Sequence, residues 1–485
     1  MKRLLLLASA IWLACITAVA APNINCVGQV VDEAGEPLAG AAIRAVGTQI
    51  VAIADVDGKF KINVPASCKE LNVSFVGYKT VEMAPAANLN VITMVPDSKL
   101  LNDVVVTQSI GKTRETPVAM STIDAEQLEF KQKKVEKLLK RFCTVEKIIG
   151  MKTPYHYRNK VQAAFYTDKK GKIISGVYQS GSHHVVGIDS CQTEDVIADK
   201  IIVAVRKLLP SFRMTTYNED TGKGFLRHIL VKRGFATNQI MLVLVTGTPV
   251  FPSKNNFVKA ILKQFPEITT IVQNINPYRT NLVLGDNQKV LYGKGYIEDI
   301  LCGCRFRISP KSFYQINPVQ AEVLYGKAIE FANLKGNETV LDTYCGIGTI
   351  GIIAAKNGAG NVIGAELNGD AVRDAIVNAR ANNLKNIRFY KADAGEFMRE
   401  AADEDEKPDV VFMDPPRAGS DRKFLDSLIK MSPKKVVYVS CNPETLARDL
   451  AYLTQNSPYK AQKIQPVDMF PHTAHIETVV LMSRK

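Results

Sequence analysis

Residues 339–349 read Thr-Val-Leu-Asp-Thr-Tyr-Cys-Gly-Ile-Gly-Thr, and the order of elements around them is informative. A short apolar strand ends in the carboxylate of Asp342, a loop with Gly346 and Gly348 follows, and a helix begins next. A second strand then ends in Glu366. Glycines let the backbone approach a bound ligand, and an acid at the next strand end can bind ribose hydroxyls. The pattern therefore predicts an α/β domain that binds a nucleotide-like cofactor.

Dinucleotide-dependent oxidoreductases share this layout, so a further criterion is needed to identify the cofactor. The spacing Asp342-x-x-x-Gly346-x-Gly348 resembles the S-adenosylmethionine (AdoMet) motif of class I methyltransferases. Asp393 and Asp414 follow the third and fourth strands, at the edge where ligands bind to open α/β sheets. We therefore expect residues 311–485 to form a Rossmann-like class I AdoMet methyltransferase domain, with a nicotinamide oxidoreductase as the weaker alternative.

A cysteine and a glutamate follow in the same domain. Cys441 comes directly after the apolar strand 435–439 and just before a helix, and Glu477 stands at the start of the last strand. A helix N-terminus stabilises a thiolate, so we expect the pKa of the Cys441 thiol to be lowered. Strand ends on this edge face the cofactor crevice, which makes both residues candidates for catalysis.

Five motifs follow one another along the second part of the chain: Ser312-Phe-Tyr-Gln-Ile-Asn317, Asp342-Thr-Tyr-Cys-Gly-Ile-Gly348, Asp414-Pro-Pro-Arg417, Ser440-Cys-Asn-Pro443 and His475-Ile-Glu477. In this order they resemble the RNA uracil-C5 methyltransferases, and within that family most closely the branch that modifies 23S rRNA. The resemblance covers about residues 131–485. It implies that Cys441 is the nucleophile, that Glu477 is the general base, and that no metal takes part. It also implies that AdoMet contacts Gln315, Tyr344, Glu366 and Asp414, with Asp393 as an additional contact, and that Phe313 lies near the cofactor and the target base.

The chain departs from that family at one point. Many members carry an N-terminal TRAM barrel that binds oligonucleotides, and four cysteines that hold a 4Fe–4S cluster. Cys191 resembles the last of these cysteines, whereas the segment that would supply the other three is replaced. A cubane cluster needs about four ligands, so we expect this chain to lack the cluster.

Charge is distributed unevenly along the 485 residues, whose net charge is +13. Residues 1–125 carry 10 basic and 11 acidic side chains, and the remaining 360 carry 51 and 37. A basic excess confined to the second part favours a polyanionic partner such as RNA. We expect 131–310 to be a central α/β region that binds RNA. The nine cysteines are scattered, which argues against a disulfide scaffold.

The first part of the chain has a different character. Residues 1–21 combine Lys2 and Arg3, a short apolar run and an Ala-Val-Ala site, which is typical of a secretory signal peptide. Residues 22–96 alternate short β-rich runs with turns, which predicts a small all-β sandwich. This stretch resembles the carboxypeptidase-regulatory-like domain at the front of TonB-dependent receptors, and 97–130 resembles the start of their plug domain. Beyond the N-terminus, no apolar run reaches the roughly 18 residues of a membrane span.

The two parts imply different compartments, because a signal peptide directs export whereas RNA and AdoMet are cytoplasmic. We expect the methyltransferase to act in the cytoplasm, and we favour an accidental joining of two gene fragments over a functional fusion. We also expect 1–130 and 131–485 to share no packed interface and to be joined by a loose segment near 97–130. The alternatives are a tRNA 5-methyluridine methyltransferase and an envelope binding module with an inactive methyltransferase half. The sequence does not predict an oligomeric state.

Overall fold

The computed structural model describes residues 23–95 and 117–484, except positions 34, 36, 39, 40, 49, 56, 76, 77, 180, 181, 281 and 405. The side chains of 53 and 117–124 also fall outside the description. The predicted signal peptide, and residues 97–116 of the predicted joining segment, therefore lie outside the described residues. The chain divides into two compact units, 1–114 and 115–485, and each is described by itself.

The first unit is the expected small β-sandwich. One sheet has the order β4-β1-β7 and the other the order β3-β2-β5-β6, and both contribute to one core that includes Val30, Ile43, Ile62 and Val73. Strand β4 alternates exposed and buried residues, so one face packs inward and the other contacts solvent. The strands are β1 Ile24–Val31, β2 Ala42–Ala45, β3 Val51–Ile53, β4 Lys59–Val64, β5 Leu71–Ser74, β6 Val81–Met83 and β7 Asn88–Thr93.

The second unit begins with helix α1, Pro117–Leu139. This helix runs across positions 130 and 131, so the boundary predicted there is wrong, and the end of the predicted joining segment is helical. Val135 and Leu139 of α1 are buried in the core of the methyltransferase domain. The end of this helix that precedes position 131 was assigned to the joining segment because 97–130 resembles the start of a plug domain.

The central region contains a seven-stranded sheet with the order β10-β9-β8-β11-β12-β13-β14. Neighbouring strands are antiparallel except β12 and β13, which are parallel. Helices α2, Val196–Leu208, and α3, Lys254–Gln264, cover one face, and this confirms the expected α/β character. The strands are β8 Lys160–Thr167, β9 Ile173–Tyr178, β10 Val185–Gly187, β11 Leu226–Arg233, β12 Ile240–Thr246, β13 Ile268–Ile275 and β14 Asn287–Tyr292.

A hairpin connects the central sheet to the cofactor domain. Strands β15, Ile297–Leu301, and β16, Cys304–Ile308, pair with each other, and their apolar residues join the core of the cofactor domain. The backbone of Arg305 donates a hydrogen bond to Asn382 of that domain. The hairpin therefore packs with the methyltransferase fold, although it precedes position 311, where the sequence suggested that the domain begins.

The cofactor domain has a seven-stranded sheet with the order β19-β18-β17-β20-β21-β23-β22. The first five strands of this order, β19, β18, β17, β20 and β21, are parallel to one another. Strand β23 lies between β21 and β22 and is antiparallel to both. This is the expected Rossmann-like class I methyltransferase fold. The strands are β17 Thr339–Asp342, β18 Asn361–Glu366, β19 Ile387–Lys391, β20 Val410–Met413, β21 Lys435–Ser440, β22 Tyr459–Val467 and β23 Glu477–Arg484.

Six helices cover the two faces of this sheet. The first three pack into one apolar core and the last three, together with α1, into another. The carboxyl ends of the parallel strands consequently form one exposed edge between the helical layers. The helices are α4 Pro318–Ala332, α5 Thr349–Lys356, α6 Gly369–Ala381, α7 Ala394–Asp403, α8 Arg422–Met431 and α9 Pro443–Asn456. Within the described ranges, no helix is long and apolar enough to cross a membrane.

Candidate active site

The glycine loop between β17 and α5 has a backbone that other residues adopt only with strain. Gly346 and Gly348 have φ of 55° and 83°, in the left-handed region that favours glycine. A Cβ at Gly348 would come within 2.8 Å of the Phe389 ring, whereas one at Gly346 would meet open space. The loop is therefore packed on one side and open on the other, as a cradle for a ligand requires.

Carboxylates fix this loop from both neighbouring strands. Asp342 Oδ2 accepts a hydrogen bond of 2.7 Å from the backbone of Gly351, and Asp342 Oδ1 has no partner among the described residues. Glu366 accepts backbone hydrogen bonds from Gly346 at 3.1 Å and from Asn368 at 2.8 Å. The unpartnered oxygen of Asp342 leaves a buried acceptor for a ligand, so the residues present fit AdoMet.

Asp393 has a structural role that the sequence analysis did not include. It is the N-cap of α7, and its Oδ1 accepts hydrogen bonds from the backbones of Gly395 and Glu396. Tyr344 is half-buried, and its ring lies 5.5 Å from that of Phe424 in α8. Burial is the main cause that raises the pKa of the Tyr344 hydroxyl to about 12, and the nearby negative charge of Asp393 contributes to this shift. These two predicted contacts therefore lie together on the α7–α8 side of the loop.

Gln315 is held by helix α4, on the side of the crevice opposite α7 and α8. Its Nε2 donates a hydrogen bond of 3.1 Å to the hydroxyl of Tyr325 in α4. Burial, and to a smaller extent the negative charges of Asp414 and Glu477, raises the pKa of Tyr325 well above its usual range. Burial raises the pKa of Asp414 to about 7. Tyr325 thus holds Gln315 on the side of the crevice where the carboxylates lie, and nothing in the spacing of the sequence had singled it out.

Cys441 and Glu477 are brought together by the pairing of β21 with β23. Ser440 lies opposite Thr478 in this antiparallel ladder, so the next position of the ladder places Cys441 beside Glu477. Glu477 is buried with an exposed fraction of 5%, and Cys441 is half-buried. Asn442 caps α9 through a hydrogen bond with the backbone of Glu444, which fixes the turn that carries the thiol.

The expectation of a lowered thiol pKa is wrong for this site. Burial, followed by the negative charges of Glu477 and Asp414, raises the pKa of Cys441 to about 11. Burial also raises the pKa of Glu477 well above its usual range. Desolvation and like charges therefore outweigh the helix N-terminus.

Arg417 opposes these shifts, although the sequence analysis gave it no role. Its positive charge lowers the pKa of both Cys441 and Glu477. Its carbonyl accepts hydrogen bonds from the side chains of Asn442 and Thr445, which hold the Asp-Pro-Pro-Arg turn against the start of α9. The signal was present, since Arg417 directly follows the Asp-Pro-Pro sequence.

We expect Arg417→Gln to shift the pH–rate profile of methylation to higher pH. The mutation removes a charge that favours the ionised forms of the thiol and the carboxyl, so both need a higher pH to lose their protons. At neutral pH the rate should fall roughly tenfold. Arg422→Gln is the matched control, because Arg422 stacks on Tyr452 away from the thiol. An unchanged profile for Arg417→Gln would contradict this account.

Helix α1 holds the segment that leads into Glu477. Lys131 is fully buried, and its Nζ lies 2.6 Å from Asp468 Oδ1 and donates to the carbonyl of Phe470. Gln127 donates to the carbonyl of Thr473 and accepts from the backbone of His472. Four hydrogen bonds thus join α1 to residues 468–473, which immediately precede the predicted base. Sequence reasoning had no means of pairing positions so far apart.

Lys131→Met is expected to lower the free energy of unfolding by about 3–5 kcal/mol, because it leaves the buried carboxylate of Asp468 unpaired. Chemical denaturation measures this directly. The double variant Lys131→Met with Asp468→Leu should recover most of the loss, since it removes both charges. Lys133→Met is the control on the same helix, and its exposed ion pair with Glu129 contributes little. Equal stability of Lys131→Met and Lys133→Met would show that the buried pair of Lys131 and Asp468 does not stabilise the fold.

The residues around Cys191 do not fit an iron–sulfur cluster. Its thiol lies 3.3 Å from the Thr193 hydroxyl, and its backbone donates a hydrogen bond to Asp199. In the part of the chain that the structure describes, no group of three or more His, Cys, Asp or Glu could hold a metal ion. The expected lack of the cluster rests on the missing cysteines and stays a prediction.

Comparison with known proteins shows which families the two parts of the chain resemble. Residues 279–485 match the model of the tRNA (uracil-5-)-methyltransferase family, and residues 26–106 match that of the CarboxypepD_reg-like domain. An RNA methyltransferase of Bacillus cereus is 44% identical over 363 residues, which are 74% of this chain and 78% of that protein. One of Listeria monocytogenes is 45% identical over 360 residues, 73% of this chain and 79% of that protein.

The chain belongs to the RNA uracil-C5 methyltransferase family. It is an AdoMet-dependent RNA methyltransferase, preceded by a carboxypeptidase-regulatory-like domain. Among solved structures, the Pyrococcus abyssi tRNA (uracil-54, C5)-methyltransferase in complex with S-adenosyl-L-homocysteine superposes with a TM-score of 0.63. The two chains are 29% identical, and the match covers 77% of this chain and 88% of that one.

Proposed function

We propose that the enzyme methylates C5 of a uracil in 23S rRNA, with Cys441 as the nucleophile and Glu477 as the general base. The observation that carries this proposal is the β21–β23 ladder, which sets the thiol beside a buried carboxyl at the carboxyl edge of the cofactor sheet. The choice of 23S rRNA is supported by the resemblance of the sequence motifs to that branch of the family.

The chemistry requires a thiol and a base in this arrangement. The Cys441 thiolate adds to uracil C6, and the enolate that forms makes C5 nucleophilic. AdoMet supplies the electrophilic methyl group that C5 attacks. Glu477 then takes the proton from C5, and the C6–S bond breaks to release the thiolate. Because burial raises the pKa of Glu477, its carboxyl becomes a strong base once ionised, and Arg417 favours that ionised form.

The binding roles assigned from the resemblance are part of this proposal. Glu366 lies beside the open glycine loop, where it can accept hydrogen bonds from ribose, and Gln315 and Asp414 border the thiol side of the crevice. Tyr344 and Asp393 lie on the α7–α8 side, suited to the adenine end. Phe313 has an exposed fraction of 64%, and an exposed ring in this motif can stack on an unstacked uracil.

A tRNA substrate is the second candidate, because the solved relative with the matching fold acts on uracil 54 of tRNA according to its description. The test is to incubate the full chain with methyl-labelled AdoMet and either unmodified 23S rRNA or unmodified tRNA, and to map 5-methyluridine in the product. Label in 23S rRNA supports the first proposal, and label confined to tRNA supports the second. No label in either RNA would favour an inactive methyltransferase half.

We also propose that methylation takes place in the cytoplasm, where its RNA and AdoMet are found, despite the predicted signal peptide. Cell fractionation with an antibody against the second unit tests this. Methyltransferase protein found only in the envelope would contradict it.

A further inference from the structure

A cavity of about 720 Å³ opens on the central sheet, outside the crevice described above. Strands β8, β9 and β11 form its floor, and Thr280, Leu282 and Val283, after β13, form one wall. The residues that matter for its chemistry are Gln162, Tyr178, His183, Glu219, His228 and Leu282. This volume is large enough for a single nucleotide and too small for a packed helix.

The interior is aromatic and offers an unused polar group. His228 has an exposed fraction of 5%, and its Nδ1 has no hydrogen-bond partner among the described residues. Burial lowers the pKa of His228 to about 4, so the ring is neutral and can donate from one nitrogen and accept at the other. The Tyr178 ring lies edge-on to His228, with the centroids 5.8 Å apart. A buried, neutral, unpartnered imidazole beside an aromatic wall suits the hydrogen-bonding edge of a nucleobase.

The floor is held rigid by a buried ion pair. Arg227 donates to both carboxylate oxygens of Glu219, at 3.0 and 2.7 Å, and to the carbonyls of Asn276 and Tyr278. These contacts fasten the residues around position 278 to β11. The cavity is therefore formed before any ligand binds, and a ligand does not need to supply the energy to open it.

The rim combines apolar and basic side chains. Leu282 has an exposed fraction of 71%, and Tyr278 is also exposed. Lys223 and Arg279 lie exposed in the two segments that border the cavity, and Asp220 contacts Nδ1 of the lining residue His183 at 2.9 Å. Exposed rings and aliphatic groups can stack on a base, and nearby cations attract its phosphate. The basic charge of this part of the chain makes a polyanion the complementary partner.

The cavity is physically connected to the methylation site. His228, Leu230 and Lys232 alternate along one face of β11, so His228 and Lys232 lie about 13 Å apart. Lys232 Nζ donates to the carbonyls of Ser309 and Ser312, directly before Phe313. RNA that leaves the methylation site can therefore reach the cavity within a few nucleotides.

We propose that this cavity binds a second unstacked nucleotide of the RNA substrate, near the target uracil in sequence. This inference rests on the proposed function, because it assumes that RNA enters the methylation site. The cavity would then contribute to substrate selection, since a base must be free of pairing to enter it.

Gln162→Trp tests the proposal, because Gln162 is exposed on β8 and lines the cavity, so a larger side chain fills the space with little effect on the core. The matched control is Gln288→Trp, at an exposed position of β14 on the far edge of the same sheet. The full-length wild type and both variants are compared for binding of an unmodified 23S rRNA transcript, for KM toward it, and for AdoMet affinity.

We expect Gln162→Trp to raise the Kd and KM for the transcript about tenfold, the loss of roughly one stacked base. AdoMet affinity should be unchanged, and Gln288→Trp should behave as the wild type. An active wild type with equal Kd and KM in both variants overturns the cavity proposal and leaves the proposed function intact. If the wild type methylates no RNA, the proposed function fails, and the transcript Kd alone decides: weaker binding only in Gln162→Trp supports the cavity, and equal binding overturns it.

Discussion

Cys441→Ala is expected to abolish methyl transfer, by at least about four orders of magnitude, while AdoMet affinity stays at the wild-type value. Loss of a covalent nucleophile removes the whole reaction path, which is far more than the loss of one stabilising contact. The thiol lies at the end of β21, whereas the glycine loop follows β17, so the cofactor cradle remains in place. Methylation of 23S rRNA and equilibrium binding of AdoMet are the two measurements.

A second measurement identifies the covalent step. RNA that contains 5-fluorouridine should form a stable adduct with the wild type, because fluorine at C5 cannot leave as a proton, and no adduct should form with Cys441→Ala. Cys191→Ala is the matched control, since this half-buried thiol contacts Thr193 in the central region. Cys441→Ala with full activity, or with an adduct, would exclude the proposed mechanism.

The predictable part of the site has a physical reason. Asp342, Glu366, Asp414 and Cys441 each stand at or just after the end of a parallel strand. A strand that ends in a polar residue is visible in a short stretch of sequence, and the fold class brings all such ends to one edge. The sandwich of the first unit was predictable in the same way, because alternation such as that of β4 is a local signal.

Features that depend on distant partners were missed. Tyr325 was passed over because only the folded structure brings its hydroxyl to Gln315. The buried ion pair between Lys131 and Asp468 joins positions 337 residues apart, which no periodicity in the sequence can reveal. The first part of helix α1 was assigned to a joining segment because 97–130 resembles the start of a plug domain, whereas the helix continues to Leu139 and its last turns pack in a core.

The pKa of Cys441 shows the same limit in electrostatics. The sequence displays the helix that follows the thiol, so a lowered pKa was the natural expectation. It does not display the burial of the thiol, nor the approach of Asp414 and Glu477 from two other strands. In a poorly solvated site, burial and the two negative charges outweigh the influence of a helix end, and the pKa of the thiol is raised instead of lowered.

Glu477→Gln is expected to stall the reaction after methyl transfer, with the RNA still bonded to Cys441. Gln has the size of Glu and can still form hydrogen bonds, but it cannot take the proton from C5. The C6–S bond breaks only when that proton leaves, so overall turnover should fall by roughly 10²–10⁴-fold. Transfer of one methyl group per enzyme should persist, because the base acts after that step.

The stalled intermediate can be seen on a denaturing gel as a protein band that retains label from both RNA and AdoMet. Asp414→Asn is the comparison, since Asp414 lies in the same crevice and its negative charge, like that of Glu477, raises the pKa of the thiol. We expect Asp414→Asn to weaken methylation without accumulation of a methylated adduct, because the base that removes the proton is intact. Normal turnover of Glu477→Gln with no retained RNA would show that another group removes the C5 proton.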